Sequence, residues 1–250
     1  MAKLMSKFKR KSKEGVRHDR LLTNKSPFSL TEAYRNVRTN LLFTFPQNVN
    51  SIVAGVVSSM PSEGKTTTTV NLSIVFAQLD KKVLIIDADL RKPRIGKFFK
   101  IKGVKGLSNY LSGQATIDEI IHETDYKNLS CIVAGVLPPN PAELLGTNEM
   151  SLLSDEVKEQ FDYVFIDTPP IETVADALVL APKYDAVVLV AKHNVSTHPA
   201  LQKTIKKLEF ADIKIAGMIL NSFDEKASNY RYYKYNYKYK YKYEYTSKRD

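Results

Sequence analysis

The chain has 250 residues, 43% of them hydrophobic, enough to bury the core of one domain of about 200 residues with tails. A single cysteine, Cys131, excludes an intrachain disulfide framework and fits a reducing cytoplasm. The net charge of +10 is carried by the ends: residues 1–25 contribute +7 and residues 224–250 contribute +4, leaving residues 26–223 near neutral at −1.

Residues 1–26 are polar, basic and unpatterned, and are expected to form a flexible N-terminal segment, with residues 27–223 as the folded domain and 224–250 as a flexible tail. The basic start lacks the apolar stretch of a signal peptide, and no apolar run reaches the roughly 18–20 residues that span a bilayer. A cytoplasmic protein is expected, with any membrane contact peripheral.

Ser29-Leu-Thr-Glu32 has the pattern of a helix-opening capping box. Leu30, Tyr34, Val37 and Leu41 then recur at helical spacing, and Pro46 closes the segment. Six short, nearly continuous apolar runs follow: Ile52–Val57, Val83–Ile86, Ser130–Ala134, Tyr163–Ile166, Ala186–Ala191 and Ile215–Leu220. Continuous rather than alternating apolarity predicts strands covered on both faces. Helical segments are predicted between them at Thr66–Leu79, Ala142–Leu153 and Pro199–Phe210. Alternating strands and helices imply an α/β fold with a mostly parallel sheet, whose ligands bind at the carboxyl ends of the strands.

Three motifs sit at such ends. Ser59-Met-Pro61-Ser62-Glu63-Gly64-Lys65-Thr66 matches the phosphate loop G-x-x-x-x-G-K-[ST], except that Ser59 replaces the first glycine. Backbone N–H groups at a helix start cradle phosphate oxygens, a lysine neutralises the β- and γ-phosphates, and a threonine hydroxyl can ligate Mg²⁺. The second motif, Val83-Leu-Ile-Ile-Asp87-Ala-Asp89-Leu-Arg91, places two carboxylates on one face if its strand continues. The third, Tyr163-Val-Phe-Ile-Asp167-Thr-Pro-Pro170, ends a strand on an acid that can hold a metal through water.

From about Ser29 to the C-terminus these residues resemble the bacterial tyrosine kinases, in the Gram-positive form whose cytoplasmic kinase is a separate polypeptide. The D-x-D-x-R motif of Asp87, Asp89 and Arg91 is the most specific point of likeness; Leu137–Leu145 and the tyrosine-rich tail are similar to further family stretches. The resemblance implies a P-loop fold that binds ATP and Mg²⁺ through Ser59, Pro61, Ser62, Glu63, Gly64, Lys65, Thr66, Thr67, Arg91 and Asn221, the last as an adenine-edge contact. It implies Thr66, Asp89 and Asp167 as metal residues, and Lys65, Asp87 and Asp89 as catalytic, with Asp87 the candidate base. Glu32, Arg35 and Arg38 form E-x-x-R-x-x-R, which is similar to a motif holding subunits in a ring. The same resemblance implies a membrane adaptor of the chain-length determinant type, a cognate phosphotyrosine phosphatase and a place in capsular or exopolysaccharide synthesis. Peripheral location at the inner face of the membrane then comes through the adaptor, with the basic residues Lys3 to Arg20 against anionic lipid.

The runner-up is a partition or assembly ATPase that does not phosphorylate protein. Those relatives carry an early lysine in K-G-G-x-G-K-[ST], where this chain has Met60. The tail separates the two readings. Nine of the fourteen tyrosines lie in it: Tyr230, Tyr232, Tyr233, Tyr235, Tyr237, Tyr239, Tyr241, Tyr243 and Tyr245. They are the expected autophosphorylation sites. Alternation with lysine would also suit an edge strand or a tract that stacks on single-stranded nucleic acid, but an exposed aromatic edge invites aggregation, and no nucleic-acid partner is expected. Each phosphate adds about −1.5 to −2 charges, so a few suffice to make the cationic tail anionic.

Overall fold

The computed structural model describes residues 21–223 apart from Asn48. The tail cluster Tyr230 to Tyr245 and the basic residues Lys3 to Arg20 lie outside the described residues.

Helix α1 (Phe28–Thr44) starts one residue before Ser29, with Leu30 and Thr31 both donating to the Pro27 carbonyl at 3.1 Å. The capping box does not form: Ser29 lies inside the helix, and Glu32 accepts from Arg35 instead. Its stripe packs as expected, with Leu41 buried and Leu30, Tyr34 and Val37 against the core. The helix stops at Phe45, whose extended ψ of 153° is what the following Pro46 requires.

The strands are β1 (Ile52–Ser58), β2 (Val83–Asp87), β3 (Ile121–Glu123), β4 (Leu129–Ile132), β5 (Tyr163–Asp167), β6 (Ala186–Lys192) and β7 (Ile215–Asn221). They form one sheet in the order β3-β4-β2-β5-β1-β6-β7, parallel except for the edge strand β3. The remaining helices are α2 (Lys65–Ala77), α3 (Ile95–Phe98), α4 (Leu107–Leu111), α5 (Ile117–Ile120), α6 (Pro141–Leu145), α7 (Asn148–Gln160), α8 (Asp176–Val179) and α9 (His198–Phe210). Ala142–Leu153 is therefore not one helix. Gly146 N–H donates back to Ala142 and Glu143 at 3.1 Å, and Thr147 turns extended before α7 starts.

Alternate residues of each strand feed opposite layers. Val83 and Ile85 of β2 face the layer built on α1 and α2, while Leu84 and Ile86 face α4, α5 and α7. A third cluster packs Val57, Val187 and Leu189 beneath Leu208 of α9. Phe76 of α2 meets the Tyr163 and Phe165 rings edge-on at 4.7 and 5.0 Å, clamping that helix over β5.

The fold begins before residue 27. Leu21 and Leu22 are buried in the α1–α2 layer; Leu22 N–H donates to Asn71 Oδ1 at 2.9 Å and its carbonyl accepts from the Tyr126 hydroxyl at 3.1 Å. The expected boundary at 26 is corrected accordingly. Two leucines in a charged stretch carry no periodicity, so their burial depends on partners far along the chain. Among the described residues no helix is long and apolar enough to cross a membrane.

Candidate functional site: a phosphate loop between two aspartates

The loop after β1 is held from several sides. Ser59 is fully buried and its hydroxyl accepts from Thr204 Oγ1 of α9 at 2.9 Å, giving the residue that replaces glycine a partner of its own. Glu63 is buried, with Oε2 accepting from Met60 N–H at 2.9 Å and Oε1 from the Ser196 hydroxyl. Pro61 and Ser62 form the exposed outer arc, and Met60 is 45% exposed. Gly64 has φ of 92°, and a Cβ there would come within 1.8 Å of Asn221 Nδ2. Only glycine allows this approach. Asn221, at the end of β7, donates to the Glu63 carbonyl at 3.0 Å.

Helix α2 opens on Lys65, and its first turn faces Asp167 at the end of β5. Lys65 Nζ is 2.5 Å from Asp167 Oδ1, Thr66 Oγ1 donates to Oδ2 at 2.7 Å, and Thr69 Oγ1 donates to Oδ1 at 3.1 Å. Thr67, on the same turn, is half-buried. Asp167 is fully buried and both its oxygens are engaged.

Asp87 lies beside it in register on β2 and is also fully buried. Its Oδ2 accepts from Arg94 and Ile95 N–H, each at 2.9 Å, but Oδ1 has no partner. Burial first, and the charge of Asp167 second, raise its pKa to about 7, against the pull of two backbone donors and Lys65.

Asp89 does not share a strand face with Asp87, because β2 ends at Asp87. Asp89 is half-buried, and its Oδ1 accepts from Lys92 N–H at 2.9 Å across its own turn. Arg91 binds Asp176 of α8 through Nε at 2.9 Å and Nη2 at 3.0 Å. Asp176, Ser196 and Thr204 are thus site residues that the sequence reading did not name. They are buried or half-buried partners 85, 133 and 145 residues away from the groups they bind, and no local pattern marks them.

On α1 the three E-x-x-R-x-x-R residues divide. Glu32 and Arg35 pair at 2.8 Å on the outer surface. Arg38 turns inward and donates to the Val75 carbonyl near the end of α2 at 2.6 Å; burial, then the Arg35 charge, lowers its pKa.

The chain's central region, residues 61–215, matches the AAA domain family. The chain is 38% identical over 205 residues to the tyrosine-protein kinase YwqD of Bacillus subtilis, covering 81% of this chain and 86% of that protein. The chain belongs to the bacterial tyrosine-protein kinases. The tyrosine-protein kinase CpsD of Streptococcus agalactiae is also 38% identical, covering 81% of this chain and 88% of its own length. A tyrosine kinase from the cps region of Klebsiella pneumoniae, itself named as putative, is 39% identical, but this chain spans only 29% of its length. Among solved structures, the kinase domain of the Escherichia coli tyrosine kinase ETK superposes with a TM-score of 0.74 at 35% identity, covering 77% of this chain and 75% of that one. The septum site-determining protein MinD of Pyrococcus horikoshii, complexed with Mg-ADP, shares the fold alone, with a TM-score of 0.61 at 24% identity.

The site of this kinase fits a nucleotide with a magnesium ion. The loop runs into the start of α2, where phosphate binds in such folds, and the Thr66 hydroxyl and Asp167 carboxylate are the hard oxygen donors that Mg²⁺ takes.

Proposed function

We propose that this kinase phosphorylates the tyrosines of its own C-terminal cluster, Tyr230 to Tyr245, using ATP and Mg²⁺, and so regulates the polymerisation and export of a capsular or exopolysaccharide. The observation that carries this reading is the pair of in-register aspartates: Asp167 bonded to the phosphate-loop lysine and threonine, and Asp87 with one buried oxygen unengaged.

ATP supplies the γ-phosphoryl group and Mg²⁺ offsets its charge. Lys65 would neutralise the β- and γ-phosphates, and Thr66 and Asp167, with Asp89 on the adjoining turn, would hold the metal. Ser59 to Thr67 form the cradle, Asn221 faces the adenine edge, and Arg91 lies alongside. The acceptor phenol gives its proton to Asp87 Oδ1 as its oxygen attacks phosphorus and the β–γ bridge opens. A carboxyl whose pKa lies near 7 is matched to that transfer, although positioning and charge stabilisation do most of the work in phosphoryl transfer.

The working unit is a ring in which Glu32 and Arg35 meet a neighbouring copy and Arg38 fixes the angle of α1 on α2. A membrane adaptor of the chain-length determinant type activates it and holds it at the inner face of the membrane; a phosphotyrosine phosphatase resets the tail. As phosphates accumulate, the tail turns from cationic to anionic and repulsion loosens the assembly. Arg35→Ala with Arg38→Ala is expected to lower the oligomer mass measured by light scattering, and an unchanged mass would remove this helix from the interface.

The deciding experiment incubates the protein with ATP–Mg²⁺ and the adaptor's cytoplasmic segment, then maps phosphate by mass spectrometry. Label on residues 230–245, absent in Lys65→Met, is the expected result. ATP hydrolysis without protein label would replace the kinase reading with an ATPase switch.

A further inference from the structure

The motif strand β2 runs directly into the most basic stretch of the described domain. Residues 91–106 hold seven Lys and Arg and no Asp or Glu, in a region of the chain that is near neutral as a whole. Two of the seven are neutralised at home, Arg91 by Asp176 and Lys105 by Glu119. The other five, Lys92, Arg94, Lys97, Lys100 and Lys102, are exposed and make no ion pair among the described residues. Uncompensated charge at this density repels itself, and its position suggests a use.

Lys97 and Lys102 line a cavity of about 170 Å³ with Gly96, Ile101, Val133 and Asp87. Asp87 is fully buried among the residues lining the cavity, while the two lysines are exposed and form its lip. A cavity of roughly 150 Å³ is enough for a benzene ring. It suits the ring of the acceptor tyrosine, and this step rests on the kinase reading above.

The unmodified tail is a poor match for that lip. Its tyrosines are separated by Lys238, Lys240 and Lys242, and residues 224–250 carry +4. A tail that has received one phosphate is different. The spacing in Tyr235-Asn-Tyr237-Lys-Tyr239-Lys-Tyr241 is two residues, so in an extended acceptor neighbouring tyrosines point the same way about 7 Å apart. With one ring seated over Asp87, the next falls at the lip, within reach of a lysine side chain, while the intervening lysines point away.

We propose that Lys97 and Lys102 bind a phosphotyrosine already present on the tail, so that its unmodified neighbour two residues away enters the Asp87 cavity with higher affinity. The first phosphate is then the slow one, and later ones follow along the same tail in preference to starting on a fresh tail. Two exposed phosphate–lysine pairs of about 0.5–1 kcal/mol each correspond to a gain of about five- to thirtyfold.

The test uses the full-length protein without ATP and fluorescent peptides of sequence Tyr237–Tyr243, unmodified or with one phosphotyrosine. Anisotropy should show the phosphopeptide binding about five- to thirtyfold more tightly, with the preference shrinking as salt rises. Lys97→Gln with Lys102→Gln should abolish the preference while the melting temperature is retained. Equal binding of the two peptides, or a preference that survives the double substitution, overturns the proposal. So does loss of binding to phosphatidylglycerol-rich vesicles in that variant without any phosphopeptide preference, which would give the lip to the membrane. Because no phosphate is transferred, a failed kinase reading and a failed lip are distinguishable. With ATP, the singly phosphorylated peptide should show a lower KM at similar kcat.

Discussion

Strands β2 and β5 are neighbours, and each ends on a buried aspartate at the same register, yet the two ends are built differently. The β5 end is saturated: an ammonium and two hydroxyls, all from the first turns of α2, occupy both oxygens of Asp167. The β2 end is half engaged: two backbone N–H groups hold one oxygen of Asp87, and the other is buried without a partner. Identical side chains on one sheet edge are thus given different surroundings by their neighbours alone, and the roles proposed above for the two rest on that difference. The transferable rule is that environments that push two carboxyls apart assign their roles.

Lys65→Met strikes that contrast hardest, because it strips Asp167 of its cation. A buried carboxylate left without its partner costs about 3–5 kcal/mol, to be read from urea unfolding, and phosphotransfer should fall to background. Retained stability would show that Thr66 and Thr69 suffice to hold Asp167.

Asp87→Asn tests the other end. Loss of a general base lowers a rate by about 10²–10⁴-fold, measured in single turnover. Its stability effect has the opposite sign. The folded state favours the protonated Asp87, with a pKa of about 7 against the usual 3.8. The stability this gives is complete below the usual value and is lost as pH rises through about 7. The substitution should therefore raise Tm at pH 8, by the few degrees that about 1–2 kcal/mol represents in a domain of this size, and leave it nearly unchanged at pH 4. A stability loss at pH 8 would mean that the charged form is the one the fold supports.

Arg91→Ala leaves Asp176 buried and unpaired. Arg91 itself is 40% exposed, so screening reduces the loss to about 1–2 kcal/mol in thermal unfolding. The smallest effect belongs to the tie between the phosphate loop and α9. Ser59→Gly should cost about 1 kcal/mol. The same change made on a Thr204→Val background should cost measurably less, and full additivity in that cycle would mean that the bond is energetically idle.

Most of the sheet was legible because its strands are apolar on both faces, and a run such as Val83–Ile86 needs no knowledge of its neighbours. Strand β3 was not: Ile121–Glu123 is three residues long, antiparallel and half-exposed, with no apolar run to betray it. The same division runs through the site. Gly64, Lys65, Thr66 and the two strand-end aspartates announce themselves by local spacing. Where a side chain goes after the strand stops is another matter: Asp89 shares a face with Asp87 only if β2 continues, but β2 ends at Asp87 and the Asp89 carboxylate accepts from Lys92 N–H across the turn that follows. Arg38 is an interface residue by the likeness of E-x-x-R-x-x-R to a ring motif, and its bond to Val75 depends on how α1 lies on α2.

Asn221 ends β7 against the phosphate loop, so the tail is rooted at the doorstep of its own site. From there to Asp87 the sheet order counts four strand spacings, about 19 Å. Tyr230 is nine residues past Asn221, a contour of about 30 Å at full extension, so even the first tyrosine of the cluster has length to spare. If the tail is the substrate, as proposed, so short a leash would present it at a local concentration in the millimolar range. Diluting the kinase would leave that figure untouched, because tail and site belong to one chain.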